Sequence, residues 1–175
     1  AMNLFTGGYL PLEQRCQAEN LYWAILVKLK KLAGQMDDVP EDMQGLDDAM
    51  GDTYFCNFSL FQSIPDSWAI KQLFPVMPIH NLNRARSHHA VLGDITCESD
   101  GKIDSFIDRR DVKKTLPLHT VNGEPYYLGV FLVGAYQEIL GDLHNLFGDT
   151  NVVHLCLDED GGWRIDEIVP GDTVE

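Results

Sequence analysis

The apolar residues of this 175-residue chain change their spacing at Gly51, and that change constrains the fold more than any other feature. Before it, Tyr22, Ile25, Leu26, Leu29, Leu32 and Ala33 recur every three or four residues, which predicts an amphipathic helix over residues 11–33. Pro11 suits the first helical position and Glu13 the positive end of the helix dipole. Lys28, Lys30 and Lys31 fall in the last turns and Gly34 ends the helix. A shorter helix is predicted from Pro40 to about Met50.

After Gly51 the pattern alternates. Tyr54, Cys56, Phe58 and Leu60 fall on one side with Asn57 and Ser59 on the other, which predicts a strand over residues 53–61. Pro65-Asp66-Ser67 starts a short helical turn that runs to Leu73. Strands are expected over 76–79 and 90–97, the latter turned by Ser99-Asp100-Gly101, and residues 112–120 read as extended. Residues 126–133 are an apolar run of the kind a buried strand shows. A helix follows near 136–147, with Ile139, Leu140, Leu143 and Leu146 on one face. Residues 152–157 and 163–169 form a hairpin about the turn 158–162. The expected class is α+β: a helical piece over residues 1–50, then a mostly antiparallel β-sandwich or barrel-like domain over residues 51–175.

Asp and Glu number 27 against 13 Lys and Arg, a formal charge of −14 that repels phosphate backbones and argues against nucleic-acid binding. The acids between Asp37 and Asp52 read as a solvated helix and its flanks. The longest apolar run is shorter than the roughly 20 residues a membrane span needs. The first residues lack the basic start and apolar stretch of a signal peptide, so a cytoplasmic protein is expected. Cys16, Cys56, Cys97 and Cys156 form no C-x-x-C pair and read as reduced thiols. The histidines have no ligand spacing, and no metal site is expected from them.

Local motifs offer little catalysis, for the chain has no G-x-S-x-G, no phosphate-binding glycine loop and no H-E-x-x-H. Cys97 ends a predicted strand beside Glu98 and Asp100. Carboxylates disfavour a standing thiolate, so a structural cysteine or a neutral proton donor are the readings open to it. Tyr136 stands where a strand hands over to a helix, either as a core residue or as a donor to an anion.

Five segments, taken together, resemble the arginine decarboxylases of the alanine-racemase-like, barrel-type pyridoxal-phosphate fold. They are Tyr-Phe-Cys-Asn-Phe-Ser-Leu-Phe-Gln-Ser-Ile-Pro-Asp-Ser-Trp-Ala-Ile (54–70), Gln-Leu-Phe-Pro-Val-Met-Pro-Ile-His (72–80), Asp-Ile-Thr-Cys-Glu-Ser-Asp-Gly-Lys-Ile-Asp (94–104), Gly-Ala-Tyr-Gln-Glu-Ile-Leu-Gly-Asp-Leu-His-Asn-Leu-Phe-Gly-Asp-Thr (134–150) and Gly-Asp-Thr (171–173). The family's order and spacing are kept across nearly the whole chain.

The resemblance implies a C-terminal β-domain that completes an active site shared between subunits of a homodimer or higher homo-oligomer. Residues 1–50 match a helical insertion of this branch. The barrel and its cofactor-bearing lysine have no counterpart here. Cys97 matches the cysteine that directs protonation after carbon dioxide leaves. Glu98 replaces the usual Asp that holds the far cationic end of L-arginine, and Asp66 is a second candidate for that end. Tyr136 matches the tyrosine that contacts the cofactor phosphate. The implied cofactor is pyridoxal phosphate, with magnesium also described for the family, and the implied product is agmatine, used in polyamine synthesis. Glu98 keeps open a decarboxylase for another basic amino acid. A non-catalytic dimerisation or regulatory module is the reading from a different class.

Overall fold

The structure is a computed structural model that describes residues 1–43 and 45–173. A short helix α1 (Met2–Thr6) leads into α2 (Leu12–Ala33), within a residue of the bounds its spacing predicts. Of the apolar positions that define its stripe, only Leu26 is buried; Tyr22, Ile25 and Leu32 face outward. The expected second helix is broken. A 3-10 turn, Glu41–Met43, and α3 (Leu46–Ala49) flank Gln44, which lies outside the described residues. Lys30 Nζ reaches Asp47 Oδ1 at 2.7 Å and ties α2 to α3. Asp48 Oδ1 accepts from Thr115 Oγ1 at 2.8 Å, linking this helical piece to the sheet beyond.

After Gly51 come β1 (Asp52–Phe55), α4 (Leu60–Ser63), α5 (Pro65–Ala69), β2 (Val76–Pro78), β3 (His88–Gly93) and β4 (Lys102–Ile103). Then follow β5 (Phe106–Ile107), β6 (Val112–Lys113), β7 (Leu116–Leu118), β8 (Leu128–Val130), α6 (Ala135–Leu140), β9 (Val152–Leu157) and β10 (Trp163–Val169). Strand β3 is the centre of a four-stranded sheet: β1 runs parallel beside it, and β4 and β7 pair antiparallel with its two ends. The remaining pairs, β2–β8, β5–β6 and β9–β10, are antiparallel. The class is therefore α+β, and among the described residues no sheet closes into a barrel.

The core is Leu60, Ile64, Ala90, Leu92, Ile103, Phe106, Leu116 and Leu118, packed between the central sheet and α4. Several expected elements are shorter than their patterns, among them the helical turn expected to reach Leu73, which ends at Ala69. The strand over 53–61 stops at Phe55, because Ser59 caps α4 by accepting from Gln62 N. The strand over 90–97 stops at Gly93, where the Asp94 side chain takes over the hydrogen bonding. The helix over 136–147 stops at Leu140, because its C-cap Gly141 turns to extended backbone, and Asn145 and Leu146 further on are left-handed. The apolar run 126–133 contributes only β8 to a sheet.

The accessible surface is 13471 Å². A compact monomer of 19.7 kDa would expose roughly 8,600 Å². The excess lies on the outer face of α2, on α6 and on the β9–β10 ribbon, where Leu155, Leu157, Trp163 and Ile165 are exposed. A two-stranded ribbon is marginal by itself in water, so these faces lack their packing partners within the chain.

Asp94, only 4% exposed, joins the helical and sheet layers. Its Oδ2 accepts from Leu60 N at 2.8 Å, and its Oδ1 accepts from Thr96 N at 2.8 Å and Thr96 Oγ1 at 2.7 Å. A Cβ at Gly101 would overlap both Asp94 Oδ1 and Thr96 Oγ1. Asp94→Ala strands two backbone donors and is expected to cost about 3 kcal/mol, and Gly101→Ala about 2 kcal/mol or more. Urea unfolding of the protein that carries this chain checks both. An unchanged midpoint for either variant would show that the turn is not held this way.

Candidate functional site

The turn that Asp94 fixes carries Cys97 and Glu98. Asp94 N donates to Gly101 O at 2.8 Å and Gly101 N to Glu98 O at 3.1 Å, so residues 94–101 fold back on themselves and leave Cys97 exposed. Facing them is the loop after α6. Its entry, Gly141, lies so close to Gln62 O that a Cβ there would overlap the carbonyl. Gln62 Nε2 also donates to Phe147 O at 3.3 Å and Gly148 O at 3.4 Å. Both loops therefore rest on the single short helix α4.

Where they meet, His144 Nε2 lies 3.0 Å from Glu98 Oε1. Asn145 Nδ2 donates to both Glu98 oxygens, at 3.1 and 2.9 Å, and approaches Cys97 Sγ at 3.6 Å. Partial burial pulls the Glu98 carboxyl upward. Hydrogen bonds from its own backbone amide and from the Asn145, Thr96 and His144 side chains outweigh that and hold it below the usual carboxylate range.

Beside Glu98 opens a cleft of about 420 Å³. Phe61, Trp68 and His144 give it flat walls, and Glu98, Asp100 and Asp142 give it acid. Trp68 and His144 flank Phe61, the indole edge-on at 5.4 Å and the imidazole at 4.5 Å with planes 30° apart. Trp68 Nε1 donates to Asp100 Oδ2 at 3.2 Å. Planar aromatic walls and carboxylates suit a flat, delocalised cation. No lysine or arginine lines the cleft.

Of the four residues singled out from the sequence, the structure brings Cys97 and Glu98 together. Asp66 does not line the cleft. Its Oδ2 accepts from Gln137 Nε2 at 2.6 Å, and its backbone N donates to Gln137 Oε1 at 3.0 Å. That exchange, with Gln137 buried, locks α5 to α6. Tyr136, beside it at the start of α6, is 77% exposed and has its phenol in solvent. Sequence reasoning missed Asp94, Trp68, Gln137, His144 and Asn145 as site-building residues. All five lie inside the segments quoted above, but no local pattern tells a residue that faces Glu98 from one that faces solvent.

Residues 1–47 match the model of the arginine decarboxylase helical bundle domain. Over 174 residues, 99% of this chain and 26% of the relative, the chain is 62% identical to a biosynthetic arginine decarboxylase of Rhodopirellula baltica. It is 56% identical to one of Gloeobacter violaceus, over 99% of this chain and 28% of that protein. The chain aligns with one segment of each of these biosynthetic arginine decarboxylases. It spans about a quarter of the length of these curated relatives. The crystal structure of biosynthetic arginine decarboxylase from Campylobacter jejuni superposes with a TM-score of 0.68 at 36% identity, covering 97% of this chain and 26% of that one. Among the described residues, no helix is long and apolar enough to cross a membrane.

The depressed Glu98 carboxyl fixes the sign of a pH dependence in this chain. The contacts made by ionised Glu98 are fully present above the ordinary carboxylate value and are lost as pH falls through the lower folded value. The Asn145 side-chain amide resonances are therefore expected to hold through the usual carboxylate range and to move only below it. A midpoint at or above the ordinary glutamate value would refute the hydrogen-bonded carboxylate.

Proposed function

We propose that this chain is the part of an arginine decarboxylase that receives the guanidinium end of L-arginine and supplies the proton that completes agmatine. The observation that carries this reading is the Glu98 carboxylate at the edge of an acidic cleft with flat aromatic walls. A guanidinium is planar and weakly hydrated, so it stacks on rings and pairs with carboxylates; an ammonium is compact and strongly hydrated. The walls supplied by Phe61 and Trp68 favour arginine over a lysine-like substrate. The names of the similar proteins support the same substrate.

Cys97 is exposed at the end of the turn, where its thiol is free to reach outside its own chain. In this reading it donates the proton in the site of a neighbouring subunit of a homodimer. Pyridoxal phosphate, the cofactor implied by the resemblance, would take up the electrons left when carbon dioxide departs. The residues lining the cleft do not fit that group by themselves, since no amine is there to anchor it. The Tyr136 phenol is what this chain offers to its phosphate. For magnesium, the described residues hold no group of three or more His, Cys, Asp or Glu able to bind a metal, and no step is assigned to it.

In the complete polypeptide, Glu98→Ala is expected to raise KM for arginine by about tenfold or more while kcat falls less, because the group acts away from the reacting carbon. An unchanged KM would remove Glu98 from the substrate site. The 175-residue chain alone should release no agmatine from arginine; measurable release would overturn the division of roles.

The shared site is tested by pairing Cys97→Ala subunits with subunits lacking the cofactor-bearing lysine. Mixed dimers then hold one intact site each. With random pairing, activity should recover to roughly a quarter of the unmodified enzyme. Demonstrated subunit exchange without recovery would place Cys97 outside the neighbouring site.

A further inference from the structure

We infer that Asn145 is a positioning residue that locks Glu98 and Cys97 into one fixed unit, an inference that rests on the role proposed for those two residues. Its single side-chain nitrogen lies 2.9 Å from Glu98 Oε2, 3.1 Å from Oε1 and 3.6 Å from Cys97 Sγ. An amide nitrogen carries two protons, so these three acceptors share it, and it sits astride the carboxylate rather than at one corner. Being neutral, it holds this position at any working pH. His144 grips Oε1 from a second direction, and its ring is set by Phe61 rather than by Glu98 alone. With both contacts made, the carboxylate cannot rotate freely, yet its remaining acceptor capacity still serves a guanidinium.

The backbone is shaped to make this contact. Asn145 has φ 53° and Leu146 φ 60°, two successive left-handed residues of which neither is glycine. L side chains rarely adopt that conformation, though asparagine tolerates it better than most. The reversal is held from outside by Gln62 Nε2 on Phe147 O and Gly148 O, and from within by Phe147 N donating to His144 O at 3.1 Å. A strained turn kept by its surroundings, with its side chain aimed at two candidate site residues, marks a functional constraint. The titratable groups around Glu98 are its neighbour Cys97, His144 on the loop that carries Asn145 and, lining the cleft, Asp100 and Asp142. The amide is a donor to Cys97 Sγ, and a donor favours an anionic acceptor, so its loss has a predictable sign.

The test uses Asn145→Gly and Asn145→Asp in the complete polypeptide. Glycine keeps the left-handed backbone while removing the amide, so the loop retains its path. Aspartate keeps the volume and sets a third acid against Glu98. The pH midpoint for alkylation of Cys97, followed by peptide mass spectrometry, should rise from the parent to Asn145→Gly and further to Asn145→Asp. KM for arginine should rise about three- to tenfold in Asn145→Gly, the usual effect of losing one hydrogen bond. An unmoved alkylation midpoint overturns the inference whatever the enzyme does. A fall in KM also overturns it, because Asn145 would then be competing with the guanidinium for Glu98. If the parent protein leaves arginine untouched, the functional proposal fails, and the alkylation midpoint alone decides whether Asn145 holds the pair.

Discussion

The buried carboxylate of Asp94 is the interaction on which the rest of this structure depends. A charge in an apolar interior is costly unless its oxygens are filled, and here three donors fill them: the start of α4 at Leu60 and both groups of Thr96. Those donors belong to different layers. Satisfying one carboxylate therefore fixes the distance between α4 and the end of β3, and the direction in which the chain leaves the sheet. Gly101 lets the returning strand pass close enough to close the turn. Cys97 and Glu98 sit at its tip, and their placement follows from that one buried charge.

The opposing loop is fixed by the same short helix through different atoms. Gln62 presents its carbonyl to Gly141 and its amide to Phe147 and Gly148, while Gln137 and Asp66 fasten α6 to α5. A helix as short as α4 has little stability of its own, since most helical stability comes from tertiary packing. Its first residue Leu60 and its C-cap Ile64 are among the best-buried of the described residues. The site is therefore rigid because its frame is core, not because its loops are.

The exposed apolar faces agree with the relation to longer proteins. The outer side of α2, the exposed residues of α6 and the β9–β10 ribbon carry side chains that a compact domain would cover. The curated relatives are about four times the length of this segment. Leu140 and Leu143, exposed at and after the end of α6, line the cleft, so an exposed apolar face adjoins the candidate site.

The residue pattern by itself determined the elements whose spacing is long and regular. Helix α2 was legible because its apolar repeat runs for several turns. The β9–β10 hairpin was legible because two alternating runs bracket one polar turn. The pattern also marked Cys97 and Glu98 as a pair through the motif they share with a known family. Only the tertiary structure decided where the shorter elements stop. Alternation continues past Phe55 and Gly93 and apolar spacing past Leu140, but a cap at Ser59, a carboxylate at Asp94 and extended backbone at Gly141 end them. None of these is periodic: Asp94 reaches Leu60 across 34 positions, and a cap or a turn interrupts a repeat without changing it, so no local period encodes them. The same reason separates Glu98 from Asp66. Both are acids in matching segments, but folding sets one against a cleft and joins the other to Gln137, and only folding could tell them apart.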